Sequence, residues 1–188
     1  GMQLIKCLES INLNKFIYTN TMFVFDDDQS NHYYTKTKKE FSEKLKLYFE
    51  NQEGIYSEIF LDNTFGENDK RMKIISQIIQ KIYKDEKNPV KNKEAFMNLM
   101  YIDDVVDCLL DQIKHGSEGE TRITSQYDIK IASIYEFLFK YKKENIIDKN
   151  LLNIRESKMI HVSNLPRVNK YLEETNIFDN LIKVFEDS

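Results

Sequence analysis

Glycine and proline are scarce here, five and two in 188 residues. So few turn-forming residues argue for helices joined by short loops rather than an all-β fold. The two cysteines, Cys7 and Cys108, stand far apart without a CxxC spacing, and they read as small buried hydrophobes in a reducing compartment. His32, His115 and His161 are isolated and read as surface or loop residues, so no metal is expected. No run approaches the roughly 18 apolar residues of a membrane span, and the N-terminus lacks a signal-peptide core. The expectation is a cytoplasmic chain without a membrane partner. Gly1 before Met2 reads as a tag scar, with Met2 the native start. A net charge of −4 and a pI near 5.5 leave no footprint for nucleic acid.

What the chain does have is a core: 41% hydrophobic and 12% aromatic residues, enough for one modest domain, or one with a small appendage. Leu4, Ile5, Leu8 and Ile11 form one stripe and predict a helix over 3–13. A strand from Lys15 to Phe23 follows, then a turn-rich loop, Asp26 to Asn31, able to cap a helix over about 32–51. Gly54 breaks the chain before a strand at Ile55 to Leu61. DNTFGEND, 62–69, reads as a loop before a helix over about 70–84. A strand is predicted at Ala95 to Tyr101. A helix follows that opens on Asp103 and Asp104, carboxylates that suit a helix N-terminus. Glu120 to Thr124 reads as a strand, Ile129 to Tyr141 as an amphipathic helix, and 140–150 as a solvated linker. A last strand within 151–162 and helices near 164–173 and 176–186 complete an alternating α/β pattern.

The chemistry centres on FIYTNTMFVFDDDQSNHYYTKTKKEF, residues 16–41. Tyr34 and Lys38 lie four apart on the predicted helix, hence on one face, with threonine hydroxyls at the end of the preceding strand. A phenol, an ammonium and a hydroxyl so placed can move a proton to or from an alcohol. YxxxK alone says little, since about one match arises by chance in a chain this rich in both residues, and Tyr83 with Lys87 is a second. Taken alone, Tyr34 reads as a core-edge aromatic with Lys38 snorkelling beside it.

Its neighbours change that reading. FIYTNTMFVF is similar to the strand ending in a catalytic Ser or Thr in the extended short-chain dehydrogenase/reductases, the nucleotide-sugar epimerases, dehydratases and reductases. LDNTFGEND resembles that family's aromatic-glycine-proline loop, with Phe65 and Gly66 kept and Glu67 in place of proline. MYIDDVVDCLL resembles the aromatic, Asp-Asp-Val start of a late helix, and SNLPRVNKYLEE the closing segment. The resemblance spans roughly residues 3–185, and its wording is nearest to the branch acting on CDP-linked deoxysugars.

The resemblance implies a partial Rossmann-like α/β sheet carrying only the later strands, plus the family's smaller substrate-binding region. Residues 1–65 would hold the remnant of the Rossmann-like domain and 66–188 mainly the substrate region. It implies Tyr34 as the acid/base, Thr21 as partner of the reacting oxygen, and Lys38 as the charge that lowers the phenol pKa and grips the cofactor ribose. Asn63 and Phe65 would contact the nucleotide sugar, and the cofactor would be NAD or NADP.

Three departures stand against it. The glycine-rich turn that cradles the dinucleotide has no counterpart, the sequence beginning where the family's fourth helix would stand. Two arginines that grip nucleotide phosphates fall on Phe60 and Met97. A remnant, a split enzyme or a truncated polypeptide would show this pattern, with little or no activity unaided. A homodimer, or a second chain supplying the first half, is expected to cover the exposed strand edge. The alternative reading is a non-catalytic module that binds a nucleotide sugar or a protein.

Overall fold

The structure, a computed structural model, describes residues 2–8, 11, 13–26, 32–71, 73–157, 165–166 and 176–188. Its contacts divide the chain into two units. The first takes residues 1–62, 107–124 and 161–169; the second takes 63–106, 125–160 and 170–188.

The first unit holds α1 (Met2–Leu8), β1 (Lys15–Thr21), α2 (Tyr33–Phe49) and β2 (Ile55–Leu61). β1 and β2 pair in parallel, with Tyr18 opposite Glu58 and Thr21 opposite Leu61. β2 in turn pairs in parallel with β5 (Gly119–Ile123). Parallel neighbours need long crossovers, and helices supply them. Helix α2 buries Thr35, Ser42, Leu45 and Phe49 on one stripe. Phe49 stacks on Tyr56 at 5.3 Å and lies 5.3 Å from Phe16, and the ring of Phe41 meets Tyr18 edge-on at 5.4 Å. Each such pair contributes about 0.5–1.5 kcal/mol beyond its buried area. These rings, with Ile5, Leu8 and Leu45, form the core that fixes α2 over β1 and β2. Lys15 Nζ donates to the carbonyls of Gln112 at 2.9 Å and Gly116 at 2.6 Å, closing the C-terminal end of α4 (Ile102–His115) with a cation, as the helix dipole favours.

The second unit holds a four-stranded sheet in the order β3-β4-β6-β7: β3 (Asn63–Phe65), β4 (Phe96–Tyr101), β6 (Tyr127–Lys130) and β7 (Ile154–Glu156). β3 runs parallel to β4, and the other pairs are antiparallel. Among the described residues, α3 (Ile74–Tyr83), α5 (Ile131–Glu144) and α6 (Ile177–Glu186) accompany it. Ile75, Ile78, Ile79 and Ile82 of α3 are buried at helical spacing, each stabilising the unit by about 1.5–3 kcal/mol. The first turn of α4 carries Asp103 and Asp104, as its sequence predicts.

Several expectations need correction. The predicted loop at 62–69 contains β3, too short for its period to show. The predicted helix from Ile129 begins at Ile131, because Tyr127–Lys130 is drawn into the sheet by β4 and β7. β1 stops at Thr21 rather than Phe23, where Thr21 caps a 3-10 turn, Met22–Phe25. Helix α1 ends at Leu8, short of residue 13, and α3 starts at Ile74 rather than 70. The supposed linker at 140–150 is helical as far as Glu144. There Lys140 pairs with Asp148 at 2.9 Å, Lys142 donates to the Ile82 carbonyl at 2.8 Å, and Asn145 ends the helix in the left-handed region. Residues 27–31, His161 and most of the predicted 164–173 helix lie outside the described residues.

Candidate active site and candidate substrate cavity

The first unit carries an open groove of about 540 Å³ lined by Leu4, Tyr18, Tyr34, Lys38, Phe41 and Lys44, among others. Two of the three predicted catalytic residues, Tyr34 and Lys38, therefore share one wall, as their spacing along α2 requires. Tyr34 is half exposed. Lys38 is partly buried; its Nζ donates to the Thr19 carbonyl at 2.7 Å and sits 4.8 Å from the centre of the Tyr18 ring. Burial pulls its pKa below the ordinary 10.5, and the negative charge of Glu58 opposes that pull.

Thr21 is placed differently. It is buried at the end of β1, its Oγ1 accepts the Phe23 N–H at 3.3 Å, and it is not part of the groove wall. Its own N–H donates to Asn20 Oδ1 at 2.8 Å.

Two contributors were not singled out from sequence. Tyr18 forms part of the groove, and its hydroxyl reaches the Lys38 carbonyl at 3.5 Å. Burial, then the charges of Glu58 and Tyr34, push its phenol up to about 12. The same-face alternation of Phe16, Tyr18 and Asn20 along β1 was the available signal. The second is Glu58, fully buried on β2. It accepts hydrogen bonds from Asn20 Nδ2 at 2.6 Å, Ser42 Oγ at 2.7 Å and the Tyr56 hydroxyl at 3.2 Å, and it pairs with Lys46 at 3.3 Å. A lone carboxylate inside the apolar run IYSEIFL was its signal.

Asn63 and Phe65, the predicted substrate contacts, belong to the second unit. Both line a cavity of about 390 Å³ together with Lys73, Ser76, Tyr83 and Met97. Met97, where the family pattern has an arginine, gives this wall an apolar thioether. Lys73 supplies a cation: its Nζ lies 3.4 Å from the Thr64 carbonyl, and burial and then Arg71 hold its pKa below 10.5. Phe60, at the other arginine position, is buried against Phe25 at 4.8 Å. Glu67, in the proline position, accepts from the Tyr101 hydroxyl at 2.5 Å and pairs with Lys183 at 2.7 Å.

The residues present fit a dinucleotide at one end only. The Lys38 ammonium at the groove suits a ribose hydroxyl. The sequence has no glycine-rich turn for the pyrophosphate, its glycines being Gly1, Gly54, Gly66, Gly116 and Gly119.

No protein-family model matches the sequence. Among curated proteins, a CDP-abequose synthase of Yersinia pseudotuberculosis is 33% identical over 92 residues, 49% of this chain and 30% of that protein. A CDP-abequose synthase of Salmonella muenchen is 25% identical over 147 residues, 73% of this chain and 49% of that protein. The chain thus spans half or less of the length of these relatives. Among solved structures, UDP-glucuronic acid 4-epimerase from Bacillus cereus in complex with NAD superposes with a TM-score of 0.75 at 16% identity, over 98% of this chain and 63% of that one. The Bordetella bronchiseptica enzyme WbmF in complex with NADH gives 0.74 at 15% identity, over 99% and 62%. These two likenesses establish the fold. The sequence likeness to the CDP-abequose synthases agrees with the resemblance of the blocks around Tyr34, Phe65 and Asp103 to the extended short-chain dehydrogenase/reductases, the NAD-dependent epimerases and dehydratases.

Proposed function

We propose that the chain is the C-terminal, substrate-side portion of an NAD(P)-dependent enzyme that epimerises, dehydrates or reduces a nucleotide sugar, with a CDP-linked sugar the first candidate. The observation that carries this reading is Tyr34 and Lys38 on one groove wall beside Tyr18. Tyr34 exchanges a proton with a sugar hydroxyl. Lys38 places positive charge on the same wall, and it has ammonium hydrogens beyond the one given to Thr19 to offer a ribose. Thr21 hydrogen-bonds the reacting oxygen once its hydroxyl turns from the Phe23 amide. A bound nicotinamide would supply the hydride chemistry.

Residues 1–65 are assigned to the Rossmann-like remnant that handles the proton, and 66–188 mainly to nucleotide-sugar binding. Asn63 and Phe65 contact the substrate in the cavity described. The first half of the enzyme, and with it most dinucleotide contacts, comes from elsewhere, through a longer chain or a partner polypeptide. Without it the chain has little or no activity, and its assembly is a homodimer or a complex with that partner, in the cytoplasm.

A thermal-shift panel tests the reading, because a ligand that binds only the folded form raises the melting midpoint. NAD, NADP and sugars linked to CDP, UDP, GDP and dTDP are the probes. A midpoint raised by one nucleotide sugar supports a substrate half and names its class. One raised by a dinucleotide alone overturns the assignment of the cofactor contacts to another half. Silence across the panel, both alone and with the complementary half, overturns the reading.

A second reading has its own support in Phe60 and Met97, which replace phosphate-gripping arginines by apolar side chains. It is a non-catalytic module that keeps the fold and a nucleotide-sugar or protein surface. Indifference of its physiological output to Tyr34→Phe would favour it.

A further inference from the structure

The four partners of the Glu58 carboxylate come from three elements. Asn20 stands on β1, Ser42 and Lys46 on α2, and Tyr56 on β2 itself. A carboxylate with no access to water is tolerated only when its lone pairs are filled and its charge is matched, and here both conditions hold. Asn20 works in two directions. Its amide N–H is committed to Glu58 at 2.6 Å, which leaves its carbonyl oxygen to receive the Thr21 N–H at 2.8 Å. On α2, Tyr34, Lys38, Ser42 and Lys46 follow one another at intervals of four, a single stripe along the helix. The lower two residues of that stripe bind Glu58, and the upper two line the groove.

We propose that Glu58 is a positioning residue for the Tyr34–Lys38–Thr21 site: one buried carboxylate sets the spacing between the strand that carries Thr21 and the helix that carries Tyr34 and Lys38, and places a fixed negative charge behind Lys38. The inference rests on the proposed role of those three residues. The charge acts in a small circle of groups. Lys38 and Lys46 face it from α2, Tyr18 from β1 and Tyr56 from β2, while Glu120 of β5 draws on Lys46 from the other side. Tyr34, Glu40 and Lys44 complete the surroundings of Lys38 on the groove wall.

The test follows the Lys38 ammonium by NMR of protein carrying ¹³Cε-labelled lysine, with Lys38→Arg removing one signal to assign it. In Glu58→Gln the titration midpoint of Lys38 moves down, by about half a unit or more. In Lys46→Met, which leaves Glu58 without its cation, it moves up. Ser42→Ala takes away a neutral donor and keeps the charge; it lowers the melting temperature and leaves the midpoint in place. A purely structural Glu58 would give stability losses without this pattern of signs. An unmoved midpoint in both charge variants, or a fall in Lys46→Met, overturns the proposal. Should Glu58→Gln fail to fold, Lys46→Met decides alone, since Lys46 is 40% exposed and its removal leaves no buried void. The readout needs no turnover, so a failure of the enzyme reading would appear separately, as missing activity after the two halves are mixed.

Discussion

Lys38 Nζ donates to the main-chain carbonyl of Thr19 at 2.7 Å, two residues before Thr21 on the same strand. One hydrogen bond thus ties the helix of the candidate site to its strand, and the ammonium is held over the Tyr18 ring at 4.8 Å. The attachment uses a main-chain acceptor, so it does not depend on which side chain stands at 19. Lys38→Met removes both the tie and the charge. We expect activity, assayed with the complementary half of the enzyme, to fall about 10²-fold or more. Lys38→Arg should restore the charge without restoring the geometry, because a planar guanidinium does not reproduce a compact ammonium.

Tyr34→Phe separates chemistry from folding. The side chain is 48% exposed, so losing the hydroxyl should shift stability by less than about 0.5 kcal/mol. Activity of the reconstituted enzyme should fall about 10²- to 10⁴-fold if the phenol transfers the proton. Turnover and melting temperature, measured on the same preparation, check both halves of the statement. Full activity in the variant would remove Tyr34 from the mechanism.

The contrast between Tyr34 and Glu58 shows what the sequence could and could not disclose. β1, α2 and β2 were legible because their apolar residues recur with the period of a strand or a helix, and Tyr34 and Lys38 share a face by spacing alone. Glu58 was visible as a lone charge in IYSEIFL, but its partners Asn20, Ser42 and Lys46 become partners only through strand register and helix packing. β3 and β6, three and four residues long, are too short for a period and are defined by pairing with β4. Glu67 looked like a defect in a family pattern. Its partners, Tyr101 and Lys183, are far away in sequence, and no local signal announces them.

That cluster gives a pH prediction. Burial pushes the Glu67 carboxyl up, but hydrogen bonds from Lys183 and Tyr101 outweigh it and leave the pKa below the ordinary 4.5. Burial and then Glu67 push the Tyr101 phenol up to about 12. A carboxyl whose folded pKa is depressed contributes stability above its unfolded pKa and loses it as pH falls through the folded value. Tyr101→Phe should therefore destabilise the protein by about 1–2 kcal/mol at neutral pH, with the difference from wild type shrinking as pH falls below the ordinary carboxyl range. Melting temperatures across an acid series read this directly. A difference that stays constant through the series would mean that Glu67 is not ionised in the cluster.

Gly66 is required by close approach rather than by backbone angle. A methyl group added there would stand 2.4 Å from Ile102 Cγ2 and 3.1 Å from its Cβ, and a branched side chain held at its own Cβ cannot swing away. Gly66→Ala should cost about 1–3 kcal/mol through overpacking. Gly66 also lines the cavity with Asn63 and Phe65. The variant should therefore weaken whichever nucleotide sugar the thermal-shift panel identifies. An unchanged midpoint with unchanged ligand response would show that Ile102 relaxes freely.

β1 pairs with β2 on one side, and among the described residues no strand lies along its other edge. A seven-residue parallel edge offers unpaired N–H and C=O groups to any chain that can add a strand, and such edges are covered, paired or prone to aggregate. The prediction is association, either of two copies or with a chain supplying the first half of the enzyme. Light scattering should give a mass above that of one chain, and alternate amides of β1 should gain protection from hydrogen exchange as concentration rises or as the complementary half is added. The alternation matters, because in a strand already paired on one side only every second N–H points to the free edge. Protection of those amides alone would locate the contact on β1. A single-chain mass at working concentration, with the same amides exchanging freely in the presence of the complementary half, would show that this edge stands uncovered in solution and that the assembly reading is wrong.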